Sequence, residues 1–309
     1  MFQDANETVL VFDVGGSHIA ASVSGTRAPA VGKPQSASVV KNSSLSEFLE
    51  TLSSLAKRAL GPAETPAGVS IAMPNPFDYV HGISYMRHKY EYLYGIDLRG
   101  KLSHVFSCPP DNIQFLNDAA AFLIGEIAEG SGRGVDRVVG ITLGTGVGSA
   151  FASRGEIVTE GRGIPAGGEI WNLSYKDGIV EKFISTLAIQ EQYKESTGIW
   201  EEVQAIANES VANQHARYTF KQFGKELGKV LRATCVAFSP ERIILGGGIS
   251  RSAALFLPFA EQELLGLGIG LRVSELGERA ALVGAAVDWV KKHNDSLRLT
   301  EGMRPAGET

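Results

Sequence analysis

The sequence predicts an α/β fold made of two similar halves facing each other across a cleft. Three observations predict it. Short β-branched apolar runs alternate with segments of helical periodicity along the chain. Two stretches about 130 residues apart, VLVFDVGGSHIAASV (9–23) and VVGITLGTGVGSAFA (138–152), share one plan of strand, glycine-rich turn and strand. The length of 309 residues favours about two domains.

Thr8–Val14 is a short apolar strand and Ser17–Ser24 its return, with the hairpin turning at Gly15-Gly16. From Ser44 to Leu60, Leu45, Phe48, Leu49, Leu52 and Leu55 recur at helical spacing, and Gly61-Pro62 ends the run. Ala67–Met73 is a strand stopped by Pro74 and Pro76. Phe77–Gly95 is aromatic and irregular, suited to a substrate-side loop. Ile113–Leu116 is a strand running into Asn117-Asp118, and Ala119–Ile127 a helix. Arg137–Leu143, the turn GTGVG and Ser149–Ala152 repeat the first hairpin, followed by a glycine-rich loop at Gly161–Gly168. Helical segments cover much of Val180–Phe238, with a break near Ser196–Gly198. Arg242–Leu245 is a strand opening onto Gly246-Gly247-Gly248. Pro258–Leu265 and Ala280–Lys292 read as helices, and the tail from Asn294 as loosely ordered.

Hydrophobic residues make up 44% of the chain and charged residues 20%, ordinary for a globular protein. The net charge is −5 without a long basic block, which argues against a nucleic-acid surface. No apolar run reaches the roughly 18 residues of a membrane span, and MFQDANETVLVFD lacks the pattern of a signal peptide. A cytoplasmic enzyme with no membrane partner is the expectation. Cys108 and Cys235 are far apart and read as buried small residues. The histidines at 18, 81, 88, 104, 215 and 293 show no ligand spacing.

Gly15-Gly16-Ser17 offers backbone N–H groups that a phosphate can approach closely. Gly144-Thr145-Gly146 offers the same, with a hydroxyl added. Gly246-Gly247-Gly248 would let a flat base or ribose lie against the chain. Neither a P-loop G-x-x-x-x-G-K-[ST] nor a dinucleotide G-x-G-x-x-G after the first strand is present. Asp118 ends a strand, where a side chain can project, but it could equally N-cap the following helix. Asn75, flanked by prolines, could reach a hydroxyl or simply form a turn.

Taken as an ordered set, DVGGS (13–17), LNDAAAF (116–122), GITLGTGVGSA (140–150), PAGGEI (165–170) and ILGGGIS (244–250) resemble the ROK family of repressors and sugar kinases. The resemblance runs from Asp13 to about Val287. It implies the actin-like ATPase (ribonuclease H-like) fold: a smaller N-terminal α/β domain over 1–116, a larger one over 117–309, and a helix at about 280–293 packing back on the first. It implies ATP-dependent phosphorylation of a hexose, glucose at the 6-hydroxyl first. N-acetylmannosamine, fructose, a catalytically inactive sugar-binding regulator and a structural ATPase remain open.

The resemblance also assigns roles. Asp118 is the general base. Asn75, Asn117, Asp118, Glu169, Asn172 and Glu181 bind sugar. The turns at Gly15, Gly16, Ser17, Gly144, Thr145, Gly146, Gly246, Gly247 and Gly248 bind ATP. Asp13 holds Mg2+ through water. The family's repressors carry a DNA-binding segment ahead of the first motif, and the 12 residues before Asp13 are too few for one. A homodimer is compatible with the family, although no sequence patch marks an interface.

The departure from the family pattern lies after Glu169. Where the pattern has glycine and histidine, this chain has Trp171 and Asn172, and LSYKDGIV holds no cysteine. A structural zinc is therefore not expected. Trp171 either fills the core or stacks on a sugar face.

Overall fold

The computed structural model describes residues 8–16, 18–39, 43–61, 65–87 and 89–302, with side chains as far as 293. The described chain divides into two compact units. One holds the residues through Gly125 and those from Ala281 on; the other is Glu126–Ala280.

In the first unit, β1 (Thr8–Val14) and β2 (His18–Gly25) form an antiparallel hairpin, and β3 (Gln35–Ser38) pairs with β2. β4 (Gly68–Met73) lies parallel to β1, and β5 (Ile113–Asn117) parallel to β4. The order is β3-β2-β1-β4-β5. The uninterrupted apolar run of β1 follows from burial of both its faces. Leu10, Phe12 and Val14 meet α1 (Leu45–Leu60) and α2 (Leu98–Phe106), while Val9 and Val11 meet α9 (Ala280–Gly302). Helix α1 starts on a capping box: the Glu47 N–H donates to Ser44 Oγ at 3.2 Å and the Ser44 N–H to Glu47 Oε2 at 2.7 Å.

Helix α9 is seated by close contact and by hydrogen bonds, one of them from Gln114 Nε2 to the Asp288 carboxylate at 3.3 Å. A Cβ at Gly68 would lie 1.8 Å from the Trp289 ring, so only glycine lets the indole onto β4. Ser70 Oγ donates to the Ala285 carbonyl at 2.9 Å. The tryptophan is 2% exposed, and burial of that size contributes ~3 kcal/mol.

The second unit repeats the sheet. β6 (Arg137–Leu143), β7 (Val147–Ser153) and β8 (Glu156–Val158) run antiparallel, and β9 (Arg242–Gly246) and β10 (Gly270–Val273) add parallel strands, in the order β8-β7-β6-β9-β10. Its core gathers β6, β7 and β9 with α4 (Val180–Ile184), α5 (Thr186–Thr197), α6 (Val203–Glu209), α7 (Gln214–Cys235) and α8 (Ala253–Glu263). Burial pushes the Cys235 thiol up to about 12, which makes it an inert packing group.

Helix α3 spans Asp118–Glu129. Near its end Glu126 is fully buried, and its carboxylate accepts from Ser131 N, Ser274 Oγ and Leu276 N at 2.8, 2.5 and 3.1 Å. Those donors satisfy the charge that burial strips of water.

Several elements differ from expectation. Helix α8 begins at Ala253 and contains Pro258, which is exposed. The apolar spacing of Ala253, Phe256 and Ala260, all buried, outweighs the proline as a start signal. The short strands β3, β8 and β10 lack the alternation that would reveal them. The segment Phe77–Gly95 holds a two-residue hairpin, Phe77–Asp78 with Ile83–Ser84, and a 3-10 turn at Glu91–Leu93. Helix α9 continues past Asn294 to Gly302. Among the described residues no helix is long and apolar enough to cross a membrane.

Candidate functional site

In the first unit, β1 delivers Asp13, half-buried, one residue before its end. The Gly15 N–H donates to the His18 carbonyl at 3.0 Å, which closes the hairpin. The Gly15 carbonyl accepts from Tyr90 Oη at 2.5 Å. Gly16 is exposed, and a Cβ there would lie 3.9 Å from Lys89 Nζ. Ser17 lies outside the described residues.

Strand β5 ends on Asn117 and α3 begins on Asp118. Asn117 Oδ1 accepts the Ala120 N–H at 2.9 Å, so Asn117 supplies the helix cap. Asp118 Oδ1 accepts from the Ala119 N–H at 2.8 Å and from Asn117 Nδ2 at 3.2 Å. Two donors on one oxygen fix the plane of the carboxylate. Asn117 Nδ2 also donates to Tyr79 Oη at 3.2 Å, and that hydroxyl is directed at Asn75 Oδ1 at 2.7 Å, with the Met73 carbonyl at 3.0 Å. Asn75, Asn117 and Asp118 thus form one hydrogen-bonded row through Tyr79. The peptide Asn75–Pro76 is cis.

Tyr90 holds the glycine turn from its buried side. Burial, then the neighbouring Tyr92 and the Asp13 and Asp118 carboxylates, push its phenol well above the usual range. It remains a neutral donor to Gly15 at any working pH.

In the second unit, the Gly144 N–H donates to the Gly146 carbonyl at 3.0 Å, and the Gly144 carbonyl accepts from the Thr186 N–H at the start of α5, at 2.8 Å. Thr145 is exposed at the tip, and a Cβ at Gly144 would meet nothing within 4 Å. Gly246 is buried at the end of β9. Gly247 has φ 81°, and a Cβ there would sit 2.3 Å from the Leu143 carbonyl oxygen, so glycine is required for chain passage. A Cβ at Gly248 would meet nothing within 4 Å.

Glu169 is half-buried, and its Oε2 accepts from Trp171 Nε1 at 2.8 Å. Buried Ser149 brackets it: Ser149 Oγ donates to the Gly168 carbonyl at 2.6 Å and accepts from the Ile170 N–H at 3.0 Å. The Trp171 ring packs partly into the core, and its carbonyl accepts from the Glu181 N–H at 3.0 Å. Glu181 Oε2 accepts from the Val147 N–H at 3.0 Å, at the foot of the Gly144–Gly146 turn. Asn172 is exposed in the following turn.

Tyr79, Lys89, Tyr90 and Ser149 carry no motif. The signal that could have found the two tyrosines is their aromatic segment, since a buried phenol needs a hydrogen-bond partner. Among the described residues no group of three or more His, Cys, Asp or Glu side chains is arranged to hold a metal.

The sequence profile of the ROK family matches residues 9–292. Glucokinase of Thermotoga maritima is 32% identical over 201 residues, covering 55% of this chain and 63% of that one. Alignments to the first curated relatives span 63% of their length. The crystal structure of a ROK family glucokinase from Streptomyces griseus in complex with glucose and AMPPNP matches with TM-score 0.75 and 20% identity, over 91% of this chain and 98% of that one. A ROK family transcriptional regulator, a homolog of the E. coli MLC protein, matches with TM-score 0.76 and 18% identity, over 95% of this chain and 80% of that one. At such identities the structures show the fold, which is actin-like ATPase. With motifs in family order, a duplicated sheet and a profile match over most of its length, the chain belongs to the ROK family.

Proposed function

We propose that the chain is an ATP-dependent sugar kinase that phosphorylates a hexose, with glucose at its 6-hydroxyl as the first substrate. The observation that carries this reading is the fixed Asp118 carboxylate at the end of β5, on the same edge of one parallel arrangement as the end of β1, which leads into the Gly15-Gly16 turn. The name and ligands of the Streptomyces griseus structure and the name of the Thermotoga maritima relative support it.

Phosphoryl transfer needs positioning, charge neutralisation and a proton acceptor. Asp118 takes the proton as the sugar oxygen bonds to the γ-phosphorus; the bond from that phosphorus to the β,γ-bridging oxygen breaks, and ADP leaves. Asn117 and Asn75, aligned through Tyr79, bond sugar hydroxyls as donors and acceptors. Glu169, held by Trp171, is assigned to a pair of sugar hydroxyls, and Glu181 and Asn172 to sugar hydroxyls as well. Gly144, Thr145 and Gly146 bind phosphate, while Gly246, Gly247 and Gly248 border the nucleoside.

Asp13 is a single half-buried carboxylate beside a phosphate turn. That donor set fits a magnesium ion held mostly by phosphate and water rather than an all-protein cage. Such an ion, when bound, neutralises charge on the β- and γ-phosphates. We assign the activity to the cytoplasm, where ATP is available, and take a homodimer as the oligomeric state to test by light scattering.

The test is ADP release over a panel of glucose, N-acetylmannosamine and fructose, with wild type and Asp118→Asn. Wild type turns over one of them. The variant loses about 10³-fold in kcat, with sugar KM within about threefold. Near-normal turnover in the variant rules out this base. A second reading, a sugar-binding regulator without catalysis, draws on the likeness to the transcriptional regulator. Sugar binding by calorimetry with no ADP release from wild type would select it.

A further inference from the structure

The segment Phe77–Gly95, which reads from sequence as a substrate-side loop, places Lys89 and Tyr90 at the glycine turn. Tyr90 is fully buried, with its ring held edge-on between Phe48 of α1 and Tyr92 at centroid distances of 5.8 and 6.0 Å. Its hydroxyl has one proton, and that proton goes to the Gly15 carbonyl. The peptide Gly15–Gly16 is trans. In a trans peptide the carbonyl of one residue and the N–H of the next point in opposite directions. Holding the Gly15 carbonyl toward the buried phenol therefore turns the Gly16 N–H away from the core, at a residue that is exposed. The adjacent Lys89 brings its ammonium to the same residue, 3.9 Å from where a Gly16 Cβ would be. One dipeptide thus orients a backbone donor outward and sets a positive charge beside it.

We propose that Lys89 and Tyr90 are a phosphate-positioning pair for the nucleotide. Tyr90 acts through Gly15 by fixing the direction of the Gly16 N–H, and Lys89 by direct attraction to a terminal phosphate. The inference rests on the kinase reading above. It adds to that reading a source of positive charge that the glycine motif lacks. A lysine at this point acts as a mobile point charge rather than a bidentate clamp, so an arginine there retains the charge without requiring its geometry.

The test is calorimetric binding of magnesium-AMPPNP to the full chain, with steady-state kinetics and glucose binding in parallel. Tyr90→Phe keeps the ring and removes only the hydroxyl. It is expected to weaken AMPPNP binding about tenfold and raise the KM for ATP similarly, with kcat changed less than about threefold and glucose affinity unaltered. Lys89→Met is expected to weaken AMPPNP binding about fivefold and flatten its salt dependence, and Lys89→Arg to restore both. If both Tyr90→Phe and Lys89→Met bind AMPPNP within twofold of wild type, this inference is overturned while the kinase reading stands. If wild type binds no AMPPNP under any sugar condition, the kinase reading falls and this inference falls with it.

Discussion

The two glycine hairpins solve one problem with different means. In each, the carbonyl of the first glycine is captured from outside the turn. At Gly15 the donor is a side chain, Tyr90, from a residue 75 positions away. At Gly144 it is the backbone N–H of Thr186, the first residue of a helix. The second turn is braced twice more, by Glu181 on the Val147 N–H and by Gly247 passing against Leu143. The carbonyl of the first turn is thus adjustable by a single side-chain change, whereas that of the second is held by backbone. The contrast teaches that equal motifs need not be equally fragile.

Substitutions around the second turn sharpen this contrast. The largest effect is expected for Gly247→Ala, where a positive φ and a Cβ driven into the Leu143 backbone together cost roughly 3 kcal/mol in urea unfolding. A loss under 1 kcal/mol would mean that the β6 end yields easily and that the second turn is no stiffer than the first. Next is Gly144→Ala. The added methyl enters open space, so stability should stay within about 0.5 kcal/mol. AMPPNP affinity should drop about tenfold because the methyl stands where phosphate would approach. Unaltered affinity would remove this turn from the nucleotide site. The smallest is Glu181→Ala, which leaves the Val147 N–H without its acceptor and costs about 1 kcal/mol. No loss of stability would show that this brace is dispensable.

Much of this architecture is legible in the sequence because glycine turns and apolar runs are local signals. The strand–turn–strand repeat, the start of α1 at Ser44 and Asn117-Asp118 at a strand end all follow from neighbouring residues. What is not legible depends on partners far along the chain. Asp118 as helix cap is a sound local alternative, and only coordinates give the cap to Asn117. Glu126, Ser149 and Tyr90 look like ordinary residues until burial removes their water and another group must replace it. Trp171 is read from sequence as either core filler or sugar platform. Its ring does pack in the core, but its indole N–H also steadies Glu169, a role with no spacing signature.

The seating of Trp289 against Gly68 has a consequence for synthesis on the ribosome. Glu126–Ala280 is one continuous stretch, whole once its last residue is made. The sheet laid down first waits for residues from Ala281 onward to cover Val9 and Val11. The N-terminal unit is therefore born first and finished last, with part of one apolar face uncovered while Glu126–Ala280 is translated.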